Sequence, residues 1–214
     1  MAKKTAPLGA LDTRLYPVEL QTRSDGETGT IRGIPIVFNS RTNLGYFDEL
    51  IDPRALDDAD LSDVRLCLNH DTSFVYARSR RQNPNSTMRL SIQADGLHME
   101  ADLATGKSAR AADLFTAIER GDISGMSFMF RIDGEEWEDL ETDHPLRRIT
   151  KISYVAEVSA VTFPAYDETS VEVNARSKDA LESARAAVET AKEENARRGA
   201  ADELELLKAK IMIL

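Results

Sequence analysis

One cysteine, Cys67, leaves this chain without the means to close an internal disulfide, and its solitude fits a reducing compartment. Histidine is nearly as scarce. His70, His98 and His144 lie far apart, with neither an H-x-x-x-H nor a C-x-x-C spacing, so no metal site and no cofactor are expected. No apolar run approaches the ~18 residues needed to cross a bilayer, so no membrane association is expected. The start, Met1-Ala2-Lys3-Lys4-Thr5-Ala6-Pro7, carries two lysines with no apolar stretch behind them and reads as a frayed arm, not a signal peptide. Positive charge is also in deficit: 27 Lys and Arg stand against 37 Asp and Glu, a net charge of −10. With no basic block, this argues against nucleic-acid binding and favours basic partners. What is present, 42% hydrophobic residues in a chain of 214, suffices for one sizeable core with residues left over.

The leftover residues are at the ends. Residues 1–10 form the arm, 11–176 a β-rich body and 177–214 a helical tail. The tail holds 7 positive and 8 negative residues; removing these from the totals leaves 20 against 29, so the excess negative charge resides in the body. In the tail Leu181, Ala184, Val188 and Ala191 recur at helical spacing, Gly199 interrupts, and Leu204, Leu207, Ile211 and Leu214 resume. Such a narrow apolar seam packs either on the body of its own chain or on a partner.

Within the body, period-two patterns predict strands over 11–23 and 28–39, then 64–71 and 74–78, with Pro17 suited to an edge. Asp52-Pro53 is a helix start with Asp52 as N-cap, predicting a short helix over 54–61. A hairpin is predicted over 88–103, turning at Ala94-Asp95-Gly96, and an amphipathic helix from Lys107 to Glu119, ended by Gly121. A strand follows from Ile123 to Arg131, then an acidic loop over 133–139 with the sole tryptophan, Trp137. Further strands are expected over 147–153, 154–162 and 170–173.

Three polar residues interrupt this pattern. In the strand after Gly121-Asp122, Met126, Phe128, Phe130 and Ile132 share one face and Gly125, Ser127, Met129 and Arg131 the other. Ser127 is then either a buried serine bonded to neighbouring backbone or a nucleophile, which would require a base within reach. His70 is a candidate base, and alternation places it mid-strand with Leu66 and Leu68, while Cys67 points the opposite way. Glu157 interrupts the β-branched run Tyr154–Thr162, and a buried carboxylate must meet a donor or cation; His70 would serve.

Several stretches together resemble the prohead serine proteases of tailed bacteriophages, a family related in fold to the herpesvirus assemblins. They are Gly33-Ile34-Pro35-Ile36-Val37-Phe38-Asn39, Phe47-Asp48-Glu49-Leu50-Ile51-Asp52-Pro53-Arg54-Ala55-Leu56, Leu68-Asn69-His70-Asp71, Gly121 to Phe130, and Glu157-Val158-Ser159-Ala160-Val161-Thr162-Phe163-Pro164-Ala165-Tyr166. The resemblance implies Ser127 as nucleophile, His70 as general base and Glu157 as the orienting carboxylate, with Asp71 the competitor for the last role. Ala77 and Met129 replace residues that are often glycine in the family and are expected to narrow the cleft. By analogy with related proteases, residues 165–167 are the expected source of oxyanion donors.

The resulting expectation is an α+β protein with a mostly antiparallel, β-barrel-like body, short helices and a C-terminal helical tail. Its implied activity is a serine endopeptidase of capsid maturation, inside the immature shell in the host cytoplasm. It would cleave the major capsid protein's propeptide or a scaffold segment, and itself, with self-association through the C-terminal helix possible. The alternative is an inactive homologue serving as an assembly or scaffolding module. A metal-dependent hydrolase built on His70 and Asp71 is a third reading, short of ligands.

Overall fold

The computed structural model describes residues 11–17, 20–81, 83–162, 178–195 and 197–198. The arm at 1–10, the strand expected at 170–173, the candidate oxyanion loop at 165–167 and the second seam beyond Gly199 lie outside them.

Among the described residues, eleven strands and one helix follow in order: β1 (Asp12–Pro17), β2 (Gln21–Asp25), β3 (Thr28–Val37), β4 (Thr42–Asn43), β5 (Asp48–Ile51), β6 (Asp63–Leu68), β7 (Ala77–Arg80), β8 (Met88–Gln93), β9 (Gly96–Leu103), α1 (Ala109–Glu119), β10 (Gly125–Glu138) and β11 (Leu146–Val161). A second helix, α2, runs over 178–195. The body is therefore α+β, but its described strands form two separate sheets and no closed barrel among them. The larger sheet runs β1-β10-β11-β5-β4, with β6 on β11 and β7 on β6; the smaller runs β2-β3-β9-β8. Most pairs are antiparallel, yet β11 takes both β5 and β6 as parallel partners. No helix among the described residues is long and apolar enough to cross a membrane.

The core lies between the sheets. Met126, Phe128 and Phe130 of β10 face it with Val155, Val158 and Ala160 of β11, and meet Ile31, Met99 and Leu103 from the smaller sheet. Each large side chain so buried contributes roughly 1.5–3 kcal/mol. Helix α1 closes one side through Ala111, Leu114, Phe115 and Ile118. Ser108 caps its start by accepting the Ala111 N–H, and Gly121, at φ +79°, turns the chain out at its end. Phe115 lies so close to Gly29 of β3 that an added Cβ would stand 2.5 Å from its ring, which is why β3 carries a glycine there.

Four local expectations are corrected. The region 11–23 is two strands in different sheets, because β1 pairs with β10 and β2 with β3. Residues 54–61 form turns, not a helix: Asp52 does bond the Arg54 N–H, at 2.9 Å, but each following bond spans three residues and no ladder propagates. The acidic stretch 133–139 is mostly strand, since Glu135 and Glu138 pair with Arg147 and Arg148 across the β10–β11 hairpin and Trp137 packs against Phe47. The strands expected at 147–153 and 154–162 are one continuous strand, β11.

A buried ionic group ties β1 into this sheet. Glu49 of β5, 2% exposed, accepts from Arg14 of β1 and from Arg147 of β11 at 3.2 Å. Arg147 also donates to Glu135, at 2.9 Å through Nε. Two guanidiniums sharing one carboxylate are held by geometry that the removal of any member would leave uncompensated. The start of α2 docks on the same edge. Leu181 is buried against Leu44 and Phe47, and Arg185 donates to the carbonyls of Leu140 and Thr142 at 3.0 and 2.7 Å. Of the tail's two alternatives, the structure shows packing on its own body for this first turn, whereas Val188 further along the seam is exposed.

Candidate active site

The larger sheet has a second face, opposite the core, and the polar residues of β10 and β11 are on it. Ser127 of β10 is directly opposed to Ser159 of β11, and Met129 to Glu157. On the other side of β11, Cys67 of β6 is level with Ser159. Leu15 of β1, Ser127, Ser159 and Cys67 therefore form one row across four strands, with Glu157 a step away. Ser127 and Ser159 are fully buried and Glu157 is 1% exposed.

His70 reaches this row by leaving its strand. β6 ends at Leu68, and Asn69 and His70 both take left-handed backbone, at φ +49° and +62°. That conformation is uncommon without glycine, though asparagine enters it more readily than most residues. It is pinned here by Asn69, whose N–H donates to the Ala160 carbonyl at 3.0 Å and whose side-chain oxygen accepts the Thr162 N–H at 3.0 Å. The mid-strand position expected for His70 is thus corrected. The inference that Cys67 and His70 face apart fails for the same reason, because alternation stops at Leu68 and the turn folds His70 back over β11.

The turn brings the imidazole to the buried carboxylate. His70 Nδ1 lies 2.5 Å from Glu157 Oε1. The other carboxylate oxygen, Oε2, accepts the Ser159 hydroxyl at 2.6 Å, and Ser159 Oγ in turn accepts the His70 backbone N–H at 3.1 Å. The Cys67 thiol lies near Glu157; burial first, and then the adjoining carboxylate, push it up to about 12, so it stays protonated near neutral pH. The imidazole keeps 23% of its side-chain surface exposed, so His70 is the member that can exchange protons with solvent or substrate. No partner among the described residues bonds its Nε2.

Ser127 is not aimed at His70. Its hydroxyl donates to the carbonyl oxygen of Arg14 in β1, at 2.7 Å, which is the backbone-bonded buried serine of the plainer reading. Asp71 does not approach the imidazole either: its carboxylate accepts from the Ser73 side chain and backbone, and these bonds hold it below the usual carboxylate range. Ala77 lies in the core rather than in a cleft, while Met129 stands opposite Glu157. Sequence reasoning passed over Ser159; its spacing of two from Glu157 on a strand, hence the same face, was the available signal.

No group of three or more His, Cys, Asp or Glu among the described residues is arranged to hold a metal ion. An open depression of about 560 Å³ lies on the smaller sheet, lined by residues including Arg32, Arg89, His98 and Glu100, and contains none of the candidate residues.

Comparison with known proteins agrees with the family that the sequence resembles. Residues 17–184 match the family model of the caudovirus prohead serine protease. The prohead protease of Enterobacteria phage HK97 is 29% identical over 171 residues, covering 78% of this chain and 69% of that protein. Among solved structures, the bacteriophage T4 capsid assembly protease aligns with a TM-score of 0.36 and 14% identity, over 72% of this chain and 99% of that one, a likeness too distant to argue from. On the extent of the family match, this chain belongs to the caudovirus prohead serine proteases.

Proposed function

We propose that the chain is a serine endopeptidase of capsid maturation, with Ser127 as nucleophile, His70 as general base and Glu157 as the carboxylate that orients it. The observation that carries this reading is the His70 Nδ1–Glu157 Oε1 contact, 2.5 Å long, made by an almost fully buried carboxylate. A carboxylate on Nδ1 fixes the tautomer that leaves Nε2 to take a proton and stabilises the imidazolium that forms. His70 Nε2 accepts the Ser127 proton as Oγ attacks a peptide carbonyl. The tetrahedral intermediate collapses as imidazolium protonates the leaving amine, and water, activated by the same histidine, hydrolyses the acyl-enzyme. Turnover requires the Ser127 hydroxyl to leave the Arg14 carbonyl and turn toward His70. The arrangement described is in that sense a resting one.

The proposed substrates are a scaffold segment or propeptide of the major capsid protein, and the protease itself, within the immature shell, a reading supported by the family match and by the likeness to a prohead protease. Residues 165–167 remain the proposed oxyanion donors. A second reading, an assembly module without catalysis, is favoured by one observation, the complete burial of Ser127 and its bond to backbone. Incubating the protein with its capsid precursor beside a Ser127→Ala variant separates the two. Processing by the unaltered protein alone is expected; processing by both variants removes Ser127 from the mechanism, and processing by neither favours the assembly module.

A further inference from the structure

Acyl transfer through Ser127, His70 and Glu157 gives no task to the hydroxyl lying between them. Ser159 is fully buried, and its one oxygen makes two bonds of opposite sense. It donates to Glu157 Oε2 at 2.6 Å and accepts from the His70 backbone N–H at 3.1 Å. The first bond fixes the carboxylate's second oxygen, so the plane presented to Nδ1 cannot rotate freely. The second holds the main chain of the histidine at the residue whose φ is +62°, where the backbone has least preference of its own. Ser159 is also the direct cross-strand partner of Ser127 in the β10–β11 register, where opposed Cβ atoms are ~4.5–5.5 Å apart. One hydroxyl thus touches both halves of the acid–base pair and neighbours the nucleophile.

We propose that Ser159 is a positioning residue for the Glu157–His70 pair, an inference that rests on the assignment of those two residues as the base and its orienter. Without its hydroxyl, Glu157 Oε2 loses a buried donor and the His70 N–H loses its acceptor. Glu157 stays shielded from water, so solvent does not replace the donor its Oε2 has lost. Glu157 then has a rotational freedom that Ser159 denies it, and His70 Nδ1 spends less time in the bonded geometry.

The test uses two readouts in the full-length chain. Proton NMR of the Ser127→Ala protein, which needs no activity, should show a far-downfield resonance from the short His70 Nδ1–Glu157 hydrogen bond. Adding Ser159→Ala should shift it upfield or broaden it away, while Ser159→Thr, which keeps a hydroxyl, retains it. In the active chain Ser159→Ala should lower kcat by ~10- to 100-fold, the range for losing a supporting hydrogen bond to a functional group, with KM within about twofold. A resonance unmoved by Ser159→Ala overturns the positioning role, as does unchanged kcat. If Ser159→Ala does not fold, Ser159→Cys, close in size and a weaker donor, is read the same way. Full activity in His70→Ala would instead sink the underlying assignment, and the NMR comparison would still decide whether Ser159 holds the pair.

Discussion

Glu157 illustrates how a single residue constrains its surroundings. A carboxylate 1% exposed in a sheet is tolerated only with donors on its oxygens, and His70 and Ser159 supply them. Glu157→Gln keeps the shape but places a neutral amide against Nδ1, removing the charge that steadies an imidazolium. Peptidase turnover should fall by ~10³- to 10⁴-fold with little change in fold, by analogy with the loss of the buried carboxylate in a Ser-His-Asp triad; turnover within tenfold in a steady-state assay would exclude the orienting role. The need of Glu157 for a partner was legible in the sequence, since an ionisable residue inside Val155–Val161 demands one. The route by which His70 answers it was not. Alternation assumes extended backbone, and the left-handed pair Asn69-His70 is held by contacts with Ala160 and Thr162, more than ninety positions away. A short range of residues carries no such information beyond the readiness of asparagine to adopt positive φ.

At the scale of elements, β6 and β7 are joined by an ion pair with a definite pH signature. Arg78 donates to both Asp63 oxygens at 2.6 Å, and this bonding holds the Asp63 carboxyl below its ordinary range. A carboxyl depressed in the folded state adds stability that is complete above the unfolded value, about 4, and fades as pH falls through the folded value. Asp63→Asn should therefore melt lower than the unaltered chain near neutral pH, with the gap closing below about pH 4. A gap that widens in acid would contradict the pairing. Elements were legible where one face is apolar and the other polar: the 88–103 hairpin and α1 lie within a residue or two of expectation. The 133–139 segment was misread because its acidity looks like loop, whereas its glutamates answer arginines on the facing strand. Helix α2 has a docked start and an exposed continuation. We propose the continuation as the anchor for capsid or scaffold partners, so a chain ending at 187, which keeps Leu181 and Arg185, should retain peptidase activity and lose incorporation into proheads. Undiminished incorporation, measured by purifying assembled shells, would reject the anchor.

For the whole molecule, two sheets meet over one core, and the candidate chemistry lies on the outer side of the larger sheet rather than between them. The class, α+β with a helical tail, followed from composition and periodicity; the division into two sheets did not, because pairing of β1 with β10 and of β11 with β5 and β6 joins strands far apart in the chain. The pairing of β1 with β10 also sets the bonding of the Ser127 hydroxyl. An edge strand, β1, is anchored by Arg14 to Glu49, and the carbonyl of the same arginine accepts the hydrogen bond that the Ser127 hydroxyl donates. Whether this hydroxyl ever serves as a nucleophile is decided most directly by mass spectrometry of the concentrated protein after incubation, beside the Ser127→Ala variant. Discrete self-cleavage fragments in the unaltered chain and none in the variant are expected. An intact unaltered chain that also leaves its capsid precursor whole, or identical fragments from both proteins, would contradict the assignment of Ser127.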